Sequence, residues 1–164
     1  MRRETGVTKA WKGLLSIGVL LLTSQIARAG DTLVYNQSTG EFFEKGGTGG
    51  VVLAPIAMGY SGAGKHKNNH DSQCIDELGP IPVGVYTMAP MADVIHSDGH
   101  KLASAIRLTP DPKNQMCGRT AFLIHGESKT FPKWASGGCI ILDLDSRKKL
   151  SKFKTLEVVV GKAS

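Results

Sequence analysis

Glycine and proline interrupt this chain so often that hardly any stretch is left for a long helix: 20 glycines and seven prolines are spread over 164 residues. The intervals hold short runs rich in β-branched and aromatic residues, which fit the pleated, half-buried surface of a strand. "TLVYN" (Thr32 to Asn36) and "EFFEK" (Glu41 to Lys45) flank "QSTG" and predict a hairpin. "VVLAPIAMGYS", "VGVYTMAP", "SAIRLTP", "TAFLIHG" and "TLEVVVG" continue the pattern. One helix is expected at "DSRKKLSKF", with Asp145 or Ser146 as its N-cap and basic residues toward its end to complement the dipole. No internal repeat or low-complexity tract divides the chain. The expectation is a mainly β single domain over residues 30–164, a sandwich or barrel with one or two short helices.

Residues 1–29 predict a cleaved export signal. A cationic front (Arg2, Arg3, Lys9, Lys12) precedes the apolar "GLLSIGVLLL", and "ARA" at 27–29 offers small residues for cleavage. The alternative is an uncleaved anchor, against which Ser24 and Gln25 interrupt the run early. Five of the 20 basic residues (those four and Arg28) and one of the 14 acidic residues (Glu4) lie in this segment, so the remainder has a surplus of only two positive charges. That balance argues against nucleic acid as a partner, and no stable membrane span is expected once the signal is removed. The one basic cluster, Arg147, Lys148, Lys149, Lys152 and Lys154, reads as a solvated helix face or as a surface for an anionic cell-wall polymer.

A long polar segment, "SGAGKHKNNHDSQCIDELGPIP" (Ser61 to Pro82), is too long for a plain connection and points to a functional loop. Export would place the chain in an oxidising compartment, where three cysteines suggest one disulfide and one thiol kept free. Cys139 is the candidate thiol, and Cys74 with Cys117 the candidate bridge, a pairing that spacing alone does not establish.

His125 stands at the end of "AFLI" and Cys139 follows after a glycine-bearing excursion. A cysteine attacks as its thiolate, and an imidazole can take its proton. Gly137 and Gly138 would turn the chain sharply and offer N–H groups to an oxyanion, while Ser136 would bond within the turn or orient substrate. Spacing alone leaves the bland reading open, a small buried cysteine and a turn histidine.

Chain order narrows the choice. Histidine first, then "SGGCII" (Ser136 to Ile141), resembles the L,D-transpeptidases, although Ile141 stands where many members carry arginine or asparagine. More closely, the ordered set "YSG" (Tyr60 to Gly62), "GPIPVGVY" (Gly79 to Tyr86), "RTAFLIHG" (Arg119 to Gly126) and "ASGGCII" (Ala135 to Ile141) resembles the type VI secretion L,D-transpeptidase effector family. The resemblance implies an L,D-transpeptidase-like fold, Cys139 as nucleophile and His125 as its base. It also implies peptidoglycan stem peptides as substrate, a periplasmic or secreted location, no cofactor, and an immunity protein as a possible partner. An injected effector has no need of an export signal, which leaves a housekeeping relative, or recognition of the N-terminus by the delivery apparatus, as readings beside it.

Candidate substrate contacts are Arg119, Gly126, Tyr60 and Ser61. Arg119 reads either as a carboxylate binder or as a surface strand arginine, and Trp134 either as a wall of the site or as a core residue. His66 with His70, and His96 with His100, have the spacing of two ligands on a helix, but both pairs lie in loops and no metal site is expected. A non-catalytic cell-wall binding module on the same fold is the rival to an enzyme.

Overall fold

The computed structural model describes residues 31–46, 54–95, 99–129 and 136–161; the expected export segment, His96 and Trp134 lie outside them. Among the described residues ten strands form one sheet that curls into a nearly closed barrel. The strands are β1 (Thr32–Asn36), β2 (Glu41–Glu44), β3 (Ala57–Met58), β4 (Tyr60–Ser61), β5 (Gly84–Met88), β6 (Ala92–Ile95), β7 (Lys101–Pro110), β8 (Leu123–His125), β9 (Ile140–Ile141) and β10 (Thr155–Val159). Around the sheet they run β3-β2-β1-β10-β5-β7-β8-β9-β4, with β6 paired to β7 outside that path.

The core follows from the two-residue period of the strands. Leu33 and Tyr35, Tyr86 and Met88, Ile106 and Leu108, and Leu156 and Val158 each alternate onto one face and meet inside, joined by Ile124 and Ile140. Tyr35 packs on Phe42 across the opening hairpin with ring centroids 4.7 Å apart. The hairpin forms where expected, and β1 also pairs parallel with β10, Thr32 opposite Thr155, which ties the beginning of the domain to its end.

Several expectations change. In "VVLAPIAMGYS" residues 51–53 lie outside the described residues and the remainder yields the two-residue strands β3 and β4, while "TAFLIHG" yields β8. The helix, α1 (Leu144–Leu150), is capped by Asp143, whose carboxylate accepts from the Ser146 N–H at 2.9 Å, so the start lies before Asp145 and Ser146. Arg147 leaves the solvated face entirely. It is buried, and its guanidinium donates to the backbone carbonyls of Ala103 (2.8 Å) and Ser104 on β7.

Closure of the barrel rests on Gly59. The two end strands of the sheet, β3 and β4, are consecutive in sequence with Gly59 between them, so the chain itself steps from one edge to the other. The Gly59 N–H donates to the Gly40 carbonyl at 2.8 Å, and a Cβ on Gly59 would fall inside van der Waals contact of the Ile141 carbonyl oxygen. Gly59→Ala should therefore cost about 3 kcal/mol through overpacking against rigid backbone. The check is the midpoint of urea unfolding; a midpoint equal to that of the parent would contradict this account of closure.

Candidate active site

Three adjacent strands carry the candidate site. β8 and β9 are parallel with Ile124 opposite Ile140 and His125 opposite Ile141, and β4 is antiparallel to β9 with Tyr60 opposite Ile141. Tyr60, Ile141 and His125 thus form one row across the sheet. Ile124 and Ile140 enter the core, so by alternation His125 and Ile141 belong to the other side. Cys139 immediately precedes Ile140 and shares the parity of Ile141, which gives it the same side as His125. Strand spacing and rise set its Cα about 8 Å from that of His125.

The ring of His125 is oriented by its own chain. Nδ1 lies 2.8 Å from the Gly126 carbonyl oxygen. A carbonyl only accepts, so Nδ1 carries the proton and Nε2 is the basic nitrogen. Gly126 in turn lies under Arg147, whose Nη2 would be 3.0 Å from a Cβ at that position. Gly126, expected as a substrate contact, is here the acceptor that fixes the tautomer.

The turn into Cys139 is held from both sides. Ser136 is fully buried; its Oγ accepts from the N–H groups of Gly62 (2.9 Å) and Gly138 (3.1 Å) and donates to the Cys139 carbonyl. Ser61, also fully buried, donates to the Gly138 carbonyl at 2.9 Å and accepts from the Ile81 N–H at 2.7 Å. Both serines are part of the scaffold, not of a substrate surface. The Gly138 N–H, expected at an oxyanion, is spent on Ser136. Gly138 has φ +112°, and a Cβ there would collide with Arg119 and come within 2.7 Å of the Phe122 ring.

Arg119 corrects the expectation most sharply. It precedes β8 instead of lying on it, is buried, and donates to the carbonyls of Gln73, Pro80 (2.7 Å), Gly79 (2.9 Å) and Gly137 (3.0 Å). Its face rests on the Phe122 ring, 5.2 Å from the centroid. A guanidinium with four N–H bonds to main chain is a brace between the polar loop and the Cys139 turn, not a binder of substrate carboxylate.

The loop itself is ordered by side chains. A disulfide joins Cys74 to Cys117, Cα atoms 5.3 Å apart, and Cys139 is the free cysteine. His66 meets Ser72 Oγ at 2.9 Å and His70 meets Gln37 Oε1 at 3.0 Å, so both histidines serve the loop. Among the described residues no group of three or more His, Cys, Asp or Glu side chains is placed to hold a metal ion. A depression of about 350 Å³ is lined by Ala63, Gly64, Lys65, His66 and Leu78, and a Cβ on Gly137 would lie 3.5 Å from the Glu77 carbonyl oxygen. Glu77, which precedes the lining residue Leu78, thus approaches the turn before Cys139.

Burial pushes the half-buried Cys139 thiol up from its ordinary range, while the Leu123 N–H and the Arg119 charge pull the other way. A raised thiol holds its proton near neutrality, which suits transfer to a base during attack better than a standing ion pair.

Sequence reasoning missed two residues around this row, Glu127 and Lys67, and gave a third, Asn68, no role. Glu127 meets the Tyr60 hydroxyl with both carboxylate oxygens, at 2.8 and 2.9 Å; Lys67 lies 4.9 Å from the Tyr60 ring centroid; and Asn68 accepts from the Ser61 N–H at 2.9 Å. Asn68 has φ +54°, a conformation asparagine tolerates better than most residues, and that signal was present in "NN".

The fold is thus a nearly closed β-barrel in which His125 ends one of two neighbouring parallel strands and Cys139 immediately precedes the other. The chain belongs to the Tlde1 domain family of type VI secretion effectors, which matches residues 56–161, a span that takes in β3 through β10 and every candidate site residue. Comparison with curated proteins and with solved structures gave no match.

Alkylation of the native protein by iodoacetamide, followed by intact mass, should add one group at Cys139, and its rate should keep rising above the ordinary thiol pKa of about 8.5. A rate that is already level below that pH would mean a thiolate formed in the resting protein.

Proposed function

We infer that this protein is a cysteine enzyme of the cell wall: an L,D-carboxypeptidase and L,D-transpeptidase acting on peptidoglycan stem peptides as an antibacterial effector in the periplasm. The observation that carries the reading is the β8–β9 register, which gives His125 and Cys139 the same side of the sheet, together with the Gly126 contact that leaves Nε2 as the basic nitrogen.

The chemistry follows from these groups. Nε2 of His125 takes the Cys139 proton as Sγ attacks the amide carbonyl that follows the L-centre of diaminopimelate. The Gly138 N–H is engaged by Ser136, so the amides of Gly137 and Cys139 are the proposed oxyanion donors. The tetrahedral intermediate collapses with cleavage of the C–N bond; the imidazolium gives its proton to the leaving D-alanine nitrogen, and a thioester remains. Water, deprotonated by the same Nε2, hydrolyses the thioester to the shortened stem peptide. A D-amino acid or another stem amine in place of water yields exchange or a cross-link. The raised thiol pKa fits a Cys139 that keeps its proton in the resting state, with the proton moving as the substrate is attacked.

Incubation of defined tetrapeptide muropeptides with the mature protein, read by mass spectrometry, should show loss of the terminal D-alanine, and addition of a free D-amino acid should give the exchanged product. Cys139→Ala should lower either rate by at least about 10³-fold. Sedimentation of the protein with isolated sacculi, with stem-peptide masses unchanged after long incubation, would instead identify a binding module.

A further inference from the structure

The row that holds His125 continues outward into an unassigned cluster of opposite charges. Tyr60 stands opposite Ile141, which stands opposite His125, so the Tyr60 side chain emerges on the side of the candidate nucleophile, and its Cα lies about 8 Å from that of Cys139 by strand spacing and rise. Glu127, two residues beyond His125, reaches over to the Tyr60 hydroxyl and also accepts from the Ser128 N–H at 3.1 Å. The ammonium of Lys67 lies over the other part of Tyr60, at its ring. Glu127 and Lys67 are both exposed.

The pair is built asymmetrically. A hydroxyl has one proton to give, and a carboxylate has about four acceptor positions, so Glu127 keeps acceptor capacity after its bonds to Tyr60 and Ser128. Lys67 has three donors and, among the described residues, meets the aromatic face of Tyr60 and no carboxylate. One carboxylate and one ammonium, held on either end of a single tyrosine beside the reacting centre, complement a group that carries an ammonium and a carboxylate on the same carbon.

We propose that Glu127, Tyr60 and Lys67 form a subsite for an α-amino-acid zwitterion, with Glu127 accepting from its ammonium and Lys67 donating to its carboxylate. Two sources share that chemistry once the function inferred above is taken as the starting point. One is the side-chain end of the diamino acid in the acyl donor, which a short aliphatic spacer separates from the carbonyl under attack. The other is a free D-amino acid entering as the acceptor in exchange. Tyr60 holds the carboxylate in place by its hydroxyl and the ammonium by its ring.

The test compares Glu127→Gln and Lys67→Met with the parent on three tetrapeptide muropeptides: one with the diamino acid unmodified, one with its side-chain amine acetylated, and one with its side-chain carboxylate amidated. For the parent, acetylation should lower kcat/KM about tenfold, the loss of one charge-assisted bond, and amidation should lower it about threefold, as suits an exposed lysine. Glu127→Gln should no longer discriminate against the acetylated substrate, nor Lys67→Met against the amidated one. If the acceptor is the source instead, hydrolysis will be the same in all three proteins, and the concentration of free D-amino acid that half-saturates exchange will rise about tenfold in Glu127→Gln. Variants that keep the parent's preferences in both measurements overturn the subsite. Calorimetric binding of the same muropeptides and of free D-amino acid to Cys139→Ala, with and without the Glu127 change, separates the two levels. Binding of a zwitterionic ligand that depends on Glu127 supports the subsite even where turnover is absent, and binding indifferent to Glu127 overturns it.

Discussion

One buried guanidinium organises the candidate site. Arg119 joins four carbonyls drawn from three separate places: Gln73 in the polar loop, Gly79 and Pro80 at its exit, and Gly137 in the turn before Cys139. Burying such a charge is costly unless its donors are satisfied, and main-chain carbonyls satisfy them without adding a second buried ion. Its nearest acid, Asp76, is exposed and 3.9 Å away, too loose to account for the burial. The carbonyl cage therefore carries the interaction. Removing the charge would release two loop segments and the Cys139 turn together, because each depends on the same planar fork.

The other ties make sense as supports for that cage. The Cys74–Cys117 bridge spans 43 residues of sequence and ends two residues before Arg119 and one residue after Gln73, so it reinforces the Arg119–Gln73 contact, the most distant in sequence of the four that Arg119 makes. In the chain-entropy picture, a closed loop of that length contributes about 4 kcal/mol, which offsets part of the cost of ordering the polar loop against the segment that follows β7. Ser61 and Ser136 act over shorter distances. Each places a hydroxyl where an N–H and a carbonyl from different segments converge, and in a buried turn either group left unpaired would cost about 1–3 kcal/mol. The Cys139 turn is held by hydrogen bonding, in the absence of a long strand to hold it.

Much of this was legible in the sequence, and the limits are physical. Alternation in "TLVYN", "VGVYTM", "SAIRLT" and "TLEVV" gives the inner face directly, since a period of two survives whatever the neighbours are. The strands β3, β4 and β9 have two residues each, shorter than any periodicity, and they exist because tertiary pairing selects them. The polar character of the loop hid its order, because its bonds run to backbone far away in sequence. Arg119 and Arg147 show the same blind spot. Arg119 reads as a carboxylate binder or a surface arginine and Arg147 as part of a surface cluster, yet each sits where several carbonyls converge, a feature that no local pattern encodes. Cys139 and His125 stood out through order and spacing of motifs, whereas Glu127 and Lys67 come into view only through the pairing of β4 with β9.

The short strands and the site share one cause. A sheet that closes by passing its chain through a single glycine from one edge to the other must place two-residue strands on both sides of the seam, since Gly59 fixes the corner between β3 and β4. Such strands contribute few ladder bonds, so the seam is the least regular part of the barrel, and there the backbone departs from the sheet at Gly62 and at Gly138. Departures of this kind free N–H groups and side chains from the repetitive demands of the ladder, which is why Cys139, His125 and a pair of opposite charges can be grouped within a few residues of it. The braces supplied by Arg119 and the two serines then hold in place what the ladder no longer holds. Regular strands on the far side of the barrel, β1, β10 and β5, carry the cooperative packing, and the seam trades that regularity for a surface with chemistry on it.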